Sequence, residues 1–238
     1  MSQSRGTYDD RQPIWEKRRT ERSTDAVVRI AQCNTTFTGK TTYSTGSKPR
    51  SLNAVDVNGD GKLDIIVANY GSNNVGVLLN IGNGSFAAQT TYPAGTGPAF
   101  VPAADVDGSV SAVDVNGDGK LDIIVANYGS NNVGVLLNIG NGTFATQATY
   151  PAGTSPVAVA ATDVNGDNKL DIIVVNRFSN NVNVLLNIGN GTFAAQATYS
   201  TGSGPFFVTA ADVNGDGKPD IIVANYGSNN IAVFLGYC

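Results

Sequence analysis

Four nine-residue runs, each Asp-Val-Asn-Gly-Asp-(Gly/Asn)-Lys-(Leu/Pro)-Asp, begin at Asp56, Asp114, Asp163 and Asp212. Each run places side-chain oxygens at its first, third, fifth and ninth positions. Alternate oxygens on a tightly turned loop form the shell that a hard cation such as Ca²⁺ prefers. Twelve of the 14 acidic residues beyond position 25 lie in these runs, and the other two are Asp105 and Asp107. Acid is thus placed in the chain, not scattered as a solubility coat. The expected shells are Asp56, Asn58, Asp60, the Lys62 carbonyl and Asp64; then Asp114, Asn116, Asp118, Lys120 and Asp122. The third and fourth are Asp163, Asn165, Asp167, Lys169 and Asp171, and Asp212, Asn214, Asp216, Lys218 and Asp220, for up to four Ca²⁺. The Gly at position six allows the left-handed backbone that folds such a loop on itself. Asn168 replaces it in the third copy and tolerates that conformation better than most residues. Pro219, at position eight of the fourth copy, removes an amide but no expected ligand. Plain Asx turns would explain the Asn and Gly residues. They would not explain three carboxylates held within nine residues.

Two other loop types are excluded. An EF-hand needs a bidentate Glu at position twelve, where this chain has Val67, Val125, Val174 and Val223. A dockerin-like loop needs an acid there and a helix after it, and neither is present.

Other chemistry is narrowed by composition. The chain has no His, which removes His-based triads, His-containing zinc sites and imidazole bases. Its two Cys, Cys33 and Cys238, do not make a disulfide framework. We therefore expect no enzymatic activity. The net charge of −4 and the absence of a basic stripe argue against nucleic acid, and no apolar run reaches membrane-spanning length. Residues 1–25 are charged and lack the apolar segment of a signal peptide. They are expected to form a disordered tail, with a short interaction segment around Trp15 as the alternative.

The elements that must position the acidic loops follow from the repeat. Asp114, Asp163 and Asp212 are 49 residues apart, and Asp56 precedes Asp114 by 58. Within residues 26–238 each unit divides into four strand-like pieces, which in the first copy are residues 50–57, 63–70, 75–80 and 86–92. The second contains Ile-Ile-Val-Ala, a continuous run that suits a strand buried on both faces. An Asn-Gly hairpin signal stands at Asn83 and Gly84. Four short strands per unit of 40–50 residues is the arithmetic of a β-propeller blade. The expected fold is therefore all-β, a β-propeller of about four four-stranded blades.

The ends leave the closure open. Residues 26–31 and 37–43 align with the third and fourth strands, and the chain stops after a third strand at 231–235. The N-terminal fourth strand could complete the last blade. The alternatives are an open arc, prone to self-association, or part of a larger propeller. Cys33 and Cys238 occupy equivalent positions in the repeat, and pairing and independence are both open. The segment Asp105-Val-Asp107-Gly108 sits where a loop is due, nine residues before the complete run at Asp114. It is read as an extra loop without a full site.

The opposite ends of the strands carry Asn-Tyr-Gly-Ser-Asn-Asn three times, at residues 69–74, 127–132 and 225–230, and Asn-Arg-Phe-Ser-Asn-Asn once, at 176–181. A candidate ligand face follows: Tyr70, Asn73, Asn74, Tyr128, Asn131, Asn132, Arg177, Phe178, Tyr226, Asn229 and Asn230. Tyr92, Tyr150 and Tyr199 lie near the same end. Aromatic faces beside amides suit polyhydroxylated ligands, and repetition would give multivalency. The alternative is that Tyr plugs strand ends and Asn serves tight turns. Asn34, Asn83, Asn141 and Asn190 head glycosylation sequons, although tight turns account for the last three.

The acidic run with its ninth-position Asp, followed directly by Ile-Ile-Val-Ala-Asn and written four times, resembles the blade loops of integrin α-chain propellers. It is similar to the FG-GAP and VCBS-type repeat family across about residues 26–238. The resemblance implies a β-propeller with Ca²⁺ in the loops between the first and second strands of each blade. The expected function is an extracellular protein- or cell-surface-interaction module with mainly structural Ca²⁺ and an unknown protein or glycan partner. A multivalent lectin and a structural fragment of a larger protein are the alternatives.

Overall fold

The computed structural model describes residues 40–100 and 113–236. All regular structure in them is antiparallel β-strand, arranged in small sheets. No helix among them is long and apolar enough to cross a membrane.

Sheet 1 is formed by β1 (Pro49–Val55), β2 (Asp64–Asn69), β3 (Asn74–Leu78) and β6 (Thr90–Pro93), paired in that order, with a small separate hairpin of β4 (Asn80–Gly82) and β5 (Ser85–Phe86). Sheet 2 repeats this with β7 (Pro98–Phe100), β8 (Ile123–Asn127), β9 (Asn132–Leu136) and β12 (Ala148–Pro151), and the hairpin of β10 (Asn138–Gly140) and β11 (Thr143–Phe144). Sheet 3 has β13 (Pro156–Thr162), β14 (Asp171–Asn176), β15 (Asn181–Leu185) and β18 (Ala197–Ser200), with β16 (Asn187–Gly189) and β17 (Thr192–Phe193) as its hairpin. Sheet 4 has only β19 (Pro205–Ala211), β20 (Asp220–Asn225) and β21 (Asn230–Phe234).

The Ile-Ile-Val run is buried on both sides because the sheets stack in series. In sheet 1, Ile66, Ala68, Val75 and Val77 point forward and share an apolar layer with Ile123, Val125 and Leu136 on the back of sheet 2. Ile124, Ala126, Val133 and Val135 then meet Ile172, Val174 and Leu185 of sheet 3. Ile173, Val175, Val182 and Val184 meet Val208, Ile221 and Val223 of sheet 4. Successive residues of one strand thus serve two different layers, as the two-residue period of a strand requires. Each fully buried Val or Ile contributes about 1.5–3 kcal/mol.

Polar contacts repeat across each junction. The Tyr92 hydroxyl donates to the Gly142 carbonyl at 3.1 Å, and its ring meets Phe144 edge-on at 5.3 Å. Tyr150 does the same to Gly191 and Phe193, and Tyr43 to Gly84 and Phe86. Tyr92 and Tyr150 therefore join neighbouring sheets, and Tyr43 packs against sheet 1 from outside any strand. The same hairpins carry a second contact: the Asn138 amide donates to the Val57 carbonyl and the Asn187 amide to that of Val115.

One expectation needs correction. The third and fourth strands are shorter than residues 75–80 and 86–92. Asn80 leaves the ladder to donate to the Leu63 carbonyl and accept from the Gly82 amide. Left-handed Asn83 and Gly84 then close the separate hairpin. The strand expected at 26–31, the Asp105–Gly108 loop, both Cys residues and Asn34 lie outside the described residues. Of the strand expected at 37–43, residues 40–43 are described and are not in a strand.

Candidate metal loops and the opposite face

The four acidic runs all connect the first and second strands of a sheet, so they share one end of the stack. Their path is set by two left-handed turns, at positions four and six: Gly59 and Gly61 in the first loop, Gly166 and Asn168 (φ 62°) in the third. The first Asp is the hub. One Asp56 oxygen accepts from the amides of Gly59 at 2.7 Å and Asp60 at 3.2 Å, and the other accepts from Gly61 at 2.8 Å. Asp114, Asp163 and Asp212 hold their loops in the same way.

The ninth-position Asp is different. Asp64, Asp122, Asp171 and Asp220 are all buried. Each binds two backbone amides, one at the start of its loop and one just past the third strand. For Asp171 these are Val164 at 2.9 Å and Asn187 at 2.8 Å. No Lys or Arg pairs with these carboxylates among the described residues. Burial pushes the Asp64 and Asp171 carboxyls above the usual range, and the nearby acids of the same loop add to the effect. Asp122 is pushed up to about 6 for the same reasons. The fifth-position Asp goes the other way. A 2.8 Å contact from the loop's own Lys lowers Asp60, Asp118 and Asp167. These pairs are solvent-exposed, which makes their stabilising effect small.

Among the described residues, no group of three or more acidic, His or Cys side chains stands together closely enough to hold a metal ion. The donor chemistry nevertheless fits a hard cation. The expected ligands of every loop are all oxygens, its path is already wound around the first Asp, and its ninth Asp is a buried carboxylate without a cationic partner among the described residues. An ionised carboxylate keeps lone pairs beyond those its amide partners use.

At the opposite end of the strands, the Asn residues of the turns build the turns themselves. Asn69, Asn127, Asn176 and Asn225 are buried and donate to Asn74, Asn132, Asn181 and Asn230. Asn73, Asn131, Asn180 and Asn229 are left-handed. The first three of these accept from Gly97, Ser155 and Gly204 on the link into the next sheet. Of the expected ligand-face residues, Asn73, Asn74, Asn131, Asn132 and Asn230 are therefore committed to the scaffold. Asn83, Asn141 and Asn190 are likewise left-handed turn residues.

The aromatic members of that face form a band with two residues that the sequence did not single out, Arg50 and Phe206. The Arg50 guanidinium lies 4.4 Å from the Tyr70 ring centre and 6.0 Å from that of Tyr128. Tyr128 meets Phe178 at 6.3 Å. Arg177 lies 5.6 Å from Phe178 and 5.5 Å from Phe206, and Phe206 lies 6.5 Å from Tyr226. Phe178, Phe206 and Tyr226 are exposed. The available signal was variation: the residue after the Pro that opens each first strand is Arg50, Ala99, Val157 or Phe206.

A family model described as FG-GAP-like repeat matches residues 56–109, 114–174 and 163–223. No curated protein matches the chain. Among solved structures, it is similar to the V. cholerae biofilm matrix protein Bap1, with 22% identity, TM-score 0.48, and coverage of 78% of this chain and 26% of that one. The Kuenenia stuttgartiensis hydrazine synthase gives 14% identity, TM-score 0.47, and coverage of 84% and 52%. The Photorhabdus luminescens Tc holotoxin pore gives 24% identity, TM-score 0.42, and coverage of 77% and 9%. The chain thus spans about half or less of each of these structures.

Proposed function

The chain belongs to the FG-GAP-like repeat family, and from that premise we propose that it is a Ca²⁺-stabilised, non-catalytic interaction module of propeller type that works outside the cell. The observation that carries this reading is the acidic loop. It occurs four times at one end of four stacked sheets, each time anchored by a buried Asp that has no cationic partner among the described residues. Positions one, three and five, the carbonyl at seven and the Asp at nine would hold the ion. Bound Ca²⁺ would supply charge compensation there and tie the loop to the sheet.

Extracellular modules bind Ca²⁺ at roughly 10⁻⁴–10⁻³ M. With free Ca²⁺ about tenfold above Kd, each site would add about 1.4 kcal/mol, and four would add about 5–6 kcal/mol. That is comparable to the net stability of a domain, and it supports the extracellular setting. The test is thermal unfolding in Ca²⁺ and in EDTA. A large fall in Tm on chelation is expected, and coincident curves would sink the proposal.

A second reading, a carbohydrate-binding face, is favoured by the exposed rings of Phe178, Phe206 and Tyr226 beside Arg177. Saturable binding on a glycan array, lost in Phe178→Ala, would support it. An array without saturable binding would refute it.

A further inference from the structure

The two ends of the stack expose faces that match each other. Along the forward faces, Val75, Val133 and Val182 are 0% exposed, whereas their counterpart in sheet 4, Ile231, is 67% exposed. Val77, Val135 and Val184 are 1–6% exposed, whereas Val233 is 43% exposed. On the back faces, Val159 and Val208 are 3% and 4% exposed, whereas their counterpart in sheet 1, Leu52, is 69% exposed. The last sheet thus presents the surface that every earlier sheet uses to receive its successor. The first sheet presents part of the surface that every later sheet uses to dock. Within one chain Leu52 and Ile231 do not meet, since both are exposed, although Val67 on the back of sheet 1 is already buried. A depression of about 480 Å³, lined in part by Phe206, Phe207 and Ile231, opens on the last sheet.

The strand inventory points the same way. Among the described residues β21 is an edge: sheet 4 has three strands where sheets 1–3 have four. Those fourth strands contain Thr91-Tyr92-Pro93, Thr149-Tyr150-Pro151 and Thr198-Tyr199-Ser200, and Thr42-Tyr43-Ser44 repeats the pattern. Tyr43 already contacts Gly84 and Phe86 as Tyr92 contacts Gly142 and Phe144. It therefore stands ahead of sheet 1 where a fourth strand belongs, without a strand partner among the described residues.

We propose that a second copy of this chain docks head to tail. Sheet 1 of one copy covers the forward face of sheet 4 of the other, and residues 42–44 add as the missing strand beside β21. The register follows from the internal junctions. Tyr92 pairs with Val75, Tyr150 with Val133 and Tyr199 with Val182, so Tyr43 pairs with Ile231 of the other copy. Such an interface is heterologous, giving a closed ring or a growing filament according to the rotation per copy.

The experiment is sedimentation velocity with two variants, Ile231→Asp and Leu52→Asp, each checked for folding by circular dichroism. Wild type should form concentration-dependent dimers or longer assemblies, and each variant alone should be monomeric. Mixing the two variants should restore a dimer that grows no further, because each retains one intact face. A monodisperse wild-type monomer at every concentration would overturn the proposal, as would variants that fail to complement on mixing. If an Asp variant does not fold, Ile231→Thr and Leu52→Thr put the same question, with weakened self-association and restored mixed dimers expected.

Discussion

The two ends of the sheets follow opposite rules. At the acidic end, four loops repeat nearly the same residues and the same hydrogen bonds, down to a 2.7–2.8 Å contact between the first Asp and the sixth amide. At the other end, three turns repeat Asn-Tyr-Gly-Ser-Asn-Asn and one departs from it. The buried Asn and the left-handed Asn recur in every turn, but Arg177 and Phe178 stand in the third where the others have Tyr and Gly, and the residue after the Pro that opens each first strand changes from Arg50 to Ala99, Val157 and Phe206. An end that builds itself from its own side chains has little freedom to vary. An end whose turns are held from beneath by Asn can change its exposed residues without altering its shape. Stability should therefore reside at the acidic end and recognition at the aromatic one.

The strongest way to break this contrast is to remove a ninth-position Asp. Asp171→Ala leaves the partly buried Val164 amide and the buried Asn187 amide without their acceptor. Each orphaned amide costs about 1–3 kcal/mol, and the stack loses the tie between loop and sheet. We expect a destabilisation of about 2–5 kcal/mol, read by urea denaturation, together with loss of one site's share of any Ca²⁺ effect. A change below about 0.5 kcal/mol would mean that these carboxylates do not anchor the loops.

The next effect concerns pH. The folded protein holds Asp122 at about 6, above its ordinary 3.8. The fold therefore prefers the protonated form, and the stability this group contributes is present below about 4 and lost as pH rises through about 6. Asp60, Asp118, Asp167 and Asp212 are lowered and act in the opposite direction, so the comparison must be made against Asp122→Asn. In EDTA, raising the pH from about 4 to about 7 should lower the wild-type Tm relative to that variant. In saturating Ca²⁺ the wild type should gain on the variant over the same window, because protons compete with the cation. Parallel curves in EDTA would remove the buried carboxylate from the account.

The repeating parts of the fold were legible because repetition exposes period and pattern together. The acidic spacing marked the loops, Ile-Ile-Val-Ala marked a strand buried twice, and Asn-Gly marked the hairpin. The length of the third strand was not legible. Asn80 reads as the end of an apolar run, yet its amide contacts with Leu63 and Gly82 take the chain out of the ladder. The tyrosines near the fourth-strand ends suggested a ligand face because sequence gives no distance to the next sheet. Their partners, Gly142 and Gly191, lie 50 and 41 residues away. Arg50 and Phe206 were missed because they lie in a strand, beyond the turn motif that drew notice.

A smaller effect tests the junctions between the ends. Tyr92→Phe keeps the edge-on contact with Phe144 and removes only the hydrogen bond to Gly142. A partly buried neutral bond of this kind is worth about 0.5–1.5 kcal/mol. Tyr150→Phe should cost a similar amount, and the double variant should be close to additive, since the two tyrosines share no partner. Chemical denaturation would measure both. A cost near zero at both sites would leave the apolar layers alone to join the sheets.

The smallest expected stability change is at the aromatic end, and it sharpens the comparison most. Phe178 is exposed, and its backbone turn is set by Asn176, Asn180 and Asn181 beneath it. Phe178→Gly restores the residue found in the other three turns. It should alter stability by less than about 0.5 kcal/mol, the usual range for surface changes away from special features. It also interrupts the band between Tyr128 and Arg177. If this face recognises a partner, the variant should lose binding while its melting curve stays with wild type. A marked loss of stability would instead make Phe178 part of the scaffold, and the division between a building end and a recognising end would fail at its most exposed point.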